Sequence, residues 1–160
     1  MKKALIVTCT LLLSFALVEF LGAEAAHADN ALGVVIGDPT GISGRFGLDN
    51  AHSLEGAFAY SFGHYEGTEI HGTYLWDHAR SFKTTEGPIN MYYGLGARMI
   101  FINHGDHDGD IALGARAPLG VLYNFNNPNI EVFAELALAL DIVPSTDVDL
   151  DIGIGLRVRF

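Results

Sequence analysis

The sequence of 160 residues contains a single cysteine, Cys9, and few charged side chains. One thiol excludes both a disulfide framework and a thiolate metal site. Charged residues make up 18% of the chain, against about 25% in ordinary globular proteins, while apolar residues make up 49%, so the composition excludes disorder. Positive charge is scarcest. Nine Lys and Arg face nineteen Asp and Glu without a basic cluster, which argues against nucleic-acid binding.

The first 28 residues have the layout of a secretory signal peptide. Two lysines precede an apolar stretch from residue 4 to about residue 18, and the sequence AHA at 26–28 supplies a small-x-small cleavage pattern. A retained membrane anchor is disfavoured because Glu19 and Glu24 interrupt the apolar run that a spanning helix of about 20 residues needs. We expect cleavage after Ala28 and one domain at 29–160.

Residues 29–160 show the alternation of polar and apolar side chains that is typical of β-strands. From residue 148 to residue 160, apolar side chains occupy every even position, and Asp, Gly and Arg occupy the odd ones. Pro118 lacks a backbone donor and predicts an edge position or a bulge. The pattern predicts an all-β fold of eight strands, at 32–37, 41–48, 53–62, 68–77, 89–101, 111–125, 130–142 and 148–160.

Alternation alone does not decide which face of these strands is inside. The polar face is rich in small residues and suits the narrow interior of an eight-stranded barrel, whereas the other face carries roughly 40 mostly bulky apolar residues, more than that interior could hold. No charge occurs on the apolar face in any of the eight segments. Aromatic residues gather near strand ends, as in membrane-interface girdles. They are Phe62 and Phe101 toward one rim, and Trp76, Tyr123, Phe125 and Phe160 toward the other. These features predict an antiparallel, up-and-down transmembrane β-barrel with its apolar face toward lipid.

The chain ends on an aromatic residue, Phe160, as outer-membrane barrels commonly do. With the turn GDPTG after the first strand and the late stretch LDIVPST, the sequence resembles a family of small, uncharacterised outer-membrane β-barrel proteins. The resemblance implies an eight-stranded barrel of the OmpA or OmpX type and implies no activity. We therefore expect a location in the outer membrane of a diderm bacterium. The expected partners are outer-membrane lipid and the assembly machinery that reads the C-terminal strand.

Charged side chains are sorted onto the inward face. In an interior with little water each charge needs a partner, and arginine with carboxylate is the strongest pair available. The pattern predicts an ion-pair network that closes the lumen, with a selective ion path or narrow pore as the alternative. Acids outnumber arginines, so some carboxylates must lie near the rims, in water, or be protonated. The predicted lumen charges are Arg45, Glu55, Glu69, His71, Asp77, Arg98, Arg116, Glu131, Glu135, Asp141, Asp149, Asp151, Arg157 and Arg159.

The segment HGDHDGD at 104–110 imitates the start of a calcium-binding loop. It contains Asp106, Asp108 and Asp110 with two histidines, His104 and His107, but the distal bidentate glutamate is missing because position 117 is alanine. Turn chemistry by itself favours these residue types. We interpret the segment as a polar hairpin tip, and cation binding is the alternative.

A catalytic site would need a nucleophile or a base with an orienting partner. Glu69 lies two residues before His71, whereas Asp77 lies about 20 Å further along an extended strand. No serine lies beside a histidine on any strand, so His71 is interpreted as a packed or hydrogen-bonded lumen residue. We expect no catalysis and no cofactor. A lipid A-modifying or other membrane-embedded hydrolase is the alternative.

The connections between strands are short. With both termini in the periplasm, the cell-surface connections lie near 38–40, 63–67, 103–109 and 143–147, and the longest connection, 78–88, falls on the inner side. Outer-membrane barrels usually show the reverse, with long outer loops and short inner turns. Because adhesins and receptors work through long outer loops, the sequence favours a structural or membrane-integrity role.

Overall fold

The computed structural model describes residues 30–85, 87–104 and 109–160; the predicted signal peptide lies outside these ranges. Among the described residues no helix is long and apolar enough to cross a membrane. The eight strands are β1 (Ala31–Asp38), β2 (Thr40–Gly47), β3 (His52–Ser61), β4 (Gly67–Thr84), β5 (Gly87–Ile102), β6 (Ile111–Asn126), β7 (Asn129–Val143) and β8 (Asp147–Arg159).

The strands form one closed barrel in which each strand pairs antiparallel with the next. The barrel closes between β1 and β8, from Ala31 opposite Arg159 to Asp38 opposite Ile152. The predicted eight-stranded antiparallel all-β barrel is therefore confirmed. One rim, called here the terminal rim, holds residues 30 and 160 and the connections after β2, β4 and β6. The other, called the loop rim, holds the connections after β1, β3, β5 and β7.

Buried and exposed side chains alternate along the strands. The charged side chains are buried and the apolar ones are exposed, which is the opposite of a water-soluble protein. On β8, Arg157 is fully buried while its neighbours Leu156 and Val158 are 43% and 54% exposed. The interior therefore contains charged and small polar side chains where a soluble barrel has an apolar core. Apolar side chains form two small clusters within it. They are Val35, Leu75, Tyr92, Leu122 and Phe133 in one, and Tyr65, Ile100, Ile102 and Ala112 in the other.

The prediction of a long connection at 78–88 is wrong. Strands β4 and β5 continue to Thr84 and Gly87, and Phe82 pairs with Ile89 beyond an irregularity between His78 and Phe82. The extra residues of this bulge, where Arg80 has a φ of 58°, interrupt the alternation, so the sequence resembles a loop. Residues 78–85 and 87–90, called here the β4–β5 hairpin, extend the terminal rim.

The prediction of an edge or bulge at Pro118 is also wrong. Pro118 lies within β6 and pairs with Ala137 of β7. On the other side of β6, the pairing with β5 is interrupted only between the pairs Tyr93–Leu119 and Gly96–Arg116. The register of the two strands is the same before and after this gap. The missing donor of proline therefore leaves a gap in one ladder without bending the strand.

Candidate functional site: the charge-filled barrel interior

Two buried arginines share a carboxylate in the middle of the barrel. Arg98 donates from Nε and Nη2 to the two carboxylate oxygens of Asp141, at 2.9 and 2.6 Å, and from Nη1 to Asp151 at 3.0 Å. Arg116 donates to Glu135 at 2.6 Å and to the second oxygen of Asp151 at 3.2 Å. Asp151 thus joins strands β5 and β6 to β8 through two charge-assisted hydrogen bonds.

Arg157 on β8 forms a second centre with partners on three other strands, β2, β3 and β7. Its Nη1 donates to Glu131 at 2.9 Å, its Nη2 donates to Glu55, and its Nε and Nη2 donate to the Ser43 hydroxyl at 3.1 and 2.6 Å. The guanidinium carbon also lies 3.8 Å from the centre of the Phe133 ring, a cation–π geometry. The buried Arg157 guanidinium therefore donates to two carboxylates and a hydroxyl, and one face of it packs against an aromatic ring.

Two further pairs lie outside these centres. Arg45 donates to Asp77 and stands 5.1 Å from the centre of the Tyr92 ring. The buried His71 shares a hydrogen bond of 2.6 Å between Nδ1 and Glu69 Oε1. Asp77, which the sequence placed on the same face as His71, pairs with Arg45 instead.

Most of the predicted lumen charges are fully buried, and three are partly exposed. Asp77 and Arg159 lie toward the terminal rim, where Arg159 donates to the carbonyl of Phe125 at 2.9 Å. Asp149 lies toward the loop rim, 3.5 Å from Arg98 Nη2. The buried members are Arg45, Glu55, Glu69, His71, Arg98, Arg116, Glu131, Glu135, Asp141, Asp151 and Arg157.

Inward-facing glycines create the space that these large side chains occupy. A Cβ atom added at Gly120 would overlap the Tyr92 ring, and one added at Gly155 would overlap the Phe133 ring. Gly114 lies between Arg98 and Asp141 in register, and a Cβ there would overlap the Asp141 carboxylate. The narrow interior thus holds arginine and aromatic side chains because glycine faces them.

Sequence reasoning missed three interior aromatic residues. Tyr92 and Phe133 contact the arginines, and their inward parity opposite a glycine was the available signal. Tyr65 comes from the connection between β3 and β4 and is only 3% exposed. Its hydroxyl shares a 2.6 Å hydrogen bond with Ser145, so it covers the interior at the loop rim. No strand periodicity predicts the position of a loop residue such as Tyr65.

The space inside the barrel is uneven. A cavity of about 170 Å³ opens at the terminal rim, lined by Arg45, Ser53, Asp77, Asn124 and Glu131 among others. It has room for several water molecules. The gap in the middle of the lumen, beside His71, Arg116 and Glu135, measures only about 10 Å³. That is the minimum for one water molecule and too little for a hydrated ion.

The other sequence candidates are only partly described. Asp106, His107 and Asp108 lie outside the described residues, while His104 is exposed, with its Nδ1 3.9 Å from Glu66. Among the described residues, no group of three or more His, Cys, Asp or Glu side chains is arranged to hold a metal ion. Within the same residues, the hydrogen bond of the His71 side chain is with Glu69, and no hydroxyl is bonded to the pair.

Aromatic side chains cluster on the outer surface near both rims. Trp76 stacks on Tyr93 with ring centres 5.6 Å apart and contacts Tyr74 edge-on at 5.0 Å, level with His52 at the start of β3. At the loop rim, Tyr60 and Phe62 lie 5.1 Å apart. The two clusters lie on either side of the exposed apolar side chains of the outer face.

Comparison with known proteins identifies a related fold. No family model and no curated protein sequence matches the chain. The structure is similar to the crystal structure of the N-terminal β-barrel domain of Pseudomonas aeruginosa OprF, with a TM-score of 0.56 and 18% sequence identity. The match covers 83% of this chain and 96% of that domain. At this identity the likeness shows the fold alone, an eight-stranded antiparallel β-barrel.

Proposed function

We propose that the chain spans the outer membrane as a closed structural barrel that contributes to membrane integrity and has no catalytic activity. One observation carries the proposal: the outer surface is apolar around the barrel, while the charged groups are inside. Ile36 on β1, Phe58 on β3 and Ile154 on β8 are 68%, 59% and 63% exposed. On soluble proteins, exposed apolar patches far smaller than this continuous band already mark sites of membrane or protein contact. A band of this size therefore favours contact with lipid.

The length of the strands fits a bilayer. A membrane-crossing strand needs about 9–11 tilted residues; β3 to β8 have between 10 and 18, and β1 and β2 have eight each. The aromatic clusters at Trp76 and at Tyr60 flank the band, where amphipathic rings favour the membrane–water interface. A closed barrel also pairs its backbone groups between strands, which hydrocarbon requires.

The proposal includes an orientation and partners. An even number of strands puts both ends at one rim, and we place this terminal rim in the periplasm. Phe160, which is 72% exposed at the end of β8, offers an aromatic end to the assembly machinery. Lipid surrounds the apolar band in this proposal, and the signal peptide at 1–28 directs the chain to export.

The interior supports a closed barrel better than a pore or an enzyme. Four arginines hold carboxylates from facing strands, and the 10 Å³ gap beside Arg116 leaves no room for a hydrated ion. A hydrolase needs a nucleophile bonded to a base. The Glu69–His71 pair has the base and its orienting acid, but both side chains are buried and no hydroxyl of the described residues is hydrogen-bonded to them.

Expression with the native leader tests the location and the role together. The protein should fractionate with outer membranes and migrate differently on gels before and after heating, because the barrel resists detergent until it is heated. Purified protein in planar bilayers should give no large, steady single-channel currents. A water-soluble periplasmic protein would contradict the membrane assignment, whereas steady conductance would replace the closed barrel by a pore.

A further inference from the structure

We propose that the β4–β5 hairpin and the apolar groove beside it form a binding site for an anionic phospholipid of the periplasmic leaflet. The inference rests on the proposed function, because it requires the barrel to span a membrane. It adds a named lipid chemistry and a location on the outer surface. Two independent features carry it: the placement of the exposed basic side chains, and a depression in the otherwise bulky outer face.

The exposed positive charge of the described residues is concentrated at the terminal rim. Arg45, Arg98, Arg116 and Arg157 are buried and engaged by carboxylates. Two of the remaining bases, Arg80 and Lys83, are exposed on the hairpin, and neither forms an ion pair with any described residue. The other is Arg159, partly exposed at the same rim. Around the loop rim the exposed or half-exposed charges are acids, among them Asp38, Glu66, Asp110 and Asp147.

The groove is caused by one small side chain in a row of large ones. Met91, Val121, Ala134, Ile154 and Ile36 lie side by side in register on β5, β6, β7, β8 and β1, all on the outer face. Ala134 is the one small member. The depression over it has a volume of about 420 Å³. Volumes of about 260 and 200 Å³ adjoin it, lined partly by the same side chains.

The hairpin places its charges next to this groove. Phe82, between Arg80 and Lys83, lines the groove together with Met91 and Leu119. An acyl chain can therefore lie along the depression while its phosphate stays at the level of the two bases. Each basic residue near an anionic membrane surface attracts it by about 1 kcal/mol, and long basic side chains reach the headgroups readily. Charge and shape together favour a phospholipid with a net negative headgroup over a zwitterionic one.

The single tryptophan is a natural reporter for this site. His78 of the hairpin stacks on Tyr93 with ring centres 5.3 Å apart, and Tyr93 stacks on Trp76. Trp76 is the one tryptophan in the sequence. Its fluorescence is quenched by brominated acyl chains that touch it. Comparison of two brominated lipids in the same vesicles therefore measures their relative binding beside the hairpin.

The experiment uses the refolded full-length mature chain in phosphatidylcholine vesicles that contain either dibrominated phosphatidylglycerol or dibrominated phosphatidylcholine. We expect wild-type protein at low salt to favour the phosphatidylglycerol by about fivefold to thirtyfold, the effect of one to two surface charges. The preference should fall toward one in R80Q/K83Q and in high salt, where exposed charges are screened. The matched control, E66Q, changes one exposed charge at the opposite loop rim and should keep the preference.

A second variant tests the groove separately. Ala134→Leu fills the depression and leaves both bases in place, so it should reduce the preference without removing its dependence on salt. Equal quenching by the two lipids in wild-type protein, or a preference unchanged in R80Q/K83Q, overturns the inference while leaving the membrane assignment intact. An unchanged preference in Ala134→Leu overturns the groove as the acyl-chain site. Quenching by neither lipid overturns the proposed function as well.

Discussion

Arg98 and Asp141 face each other across Gly114, so that a charge pair links β5 to β7 over the intervening strand. Gly114 is in register with both residues, and its missing side chain leaves the carboxylate free to take two hydrogen bonds from the guanidinium. Both side chains are completely buried. The pair shows how the barrel interior is organised: glycine on one strand makes the space in which its two neighbours exchange charge.

Removal of Arg98 should destabilise the barrel strongly. Arg98→Ala leaves Asp141 and Asp151 without their shared cation in a dry interior, and a broken buried pair typically costs about 3–5 kcal/mol. Urea unfolding in lipid vesicles measures the change in the free energy of unfolding. The control is Arg80→Ala on the exposed hairpin, for which we expect a change within about 0.5 kcal/mol. Equal, small effects of the two substitutions would show that the interior pairs do not stabilise the fold.

Gly120 should resist even the smallest added side chain. Gly120→Ala places a methyl group against the Tyr92 ring, and overpacking of this kind costs about 1–3 kcal/mol. Thermal or urea unfolding should show the loss, and Tyr92→Leu in the same chain should recover part of it. Gly72→Ala is the matched control, because a Cβ at Gly72 meets no atom within 4 Å. If Gly72→Ala is as damaging as Gly120→Ala, backbone freedom rather than interior space explains the glycines.

Deletion of Phe160 should impair assembly more than folding. The backbone N–H of Phe160 donates to the carbonyl of Asn30 at 2.9 Å, but its side chain points away from the interior and is largely exposed. We expect lower outer-membrane levels in cells and near-normal refolding in detergent. Quantitative blotting of membrane fractions, beside a refolding assay by heat-dependent gel mobility, separates the two. Normal levels of the truncated chain in the outer membrane would contradict the assembly role.

Asp49, in the turn after β2, should titrate below the ordinary carboxylate range. The backbone N–H of Ala51 donates to Asp49 at 2.7 Å, and this hydrogen bond, followed by that of His52, lowers the pKa of Asp49. The associated stabilisation is present above the ordinary pKa of about 3.9 and is lost as pH falls through the lower folded value. NMR titration should find the depressed midpoint, and His52→Ala should restore it only partly. Full restoration by that variant would reverse the order of the two causes.

The strand alternation predicted the fold well because a period of two records which side of each strand is buried. It placed β8 within one residue of its observed bounds, Asp147–Arg159. It failed at the β4–β5 hairpin, where the bulge after His78 adds residues that break the period. The sequence alone did not predict which charged side chains pair with each other. Which carboxylate meets Arg98 depends on the stagger between strands, and barrel closure sets that stagger.

The measurement that most directly tests the inverted polarity is site-directed spin labelling of positions 136–140 on β7. Leu136, Leu138 and Leu140 are 48%, 55% and 41% exposed, whereas Ala137 and Ala139 between them are almost completely buried. Cys9, the one cysteine of the sequence, lies in the predicted signal peptide, so the mature chain needs no background substitution. In vesicles, we predict that accessibility to oxygen, which concentrates in lipid, is high at the three leucine positions and low at the two alanine positions. Accessibility to a water-soluble nickel chelate should be low at all five. High nickel accessibility at the leucine positions would contradict the account, because it would put the apolar face of the barrel in water.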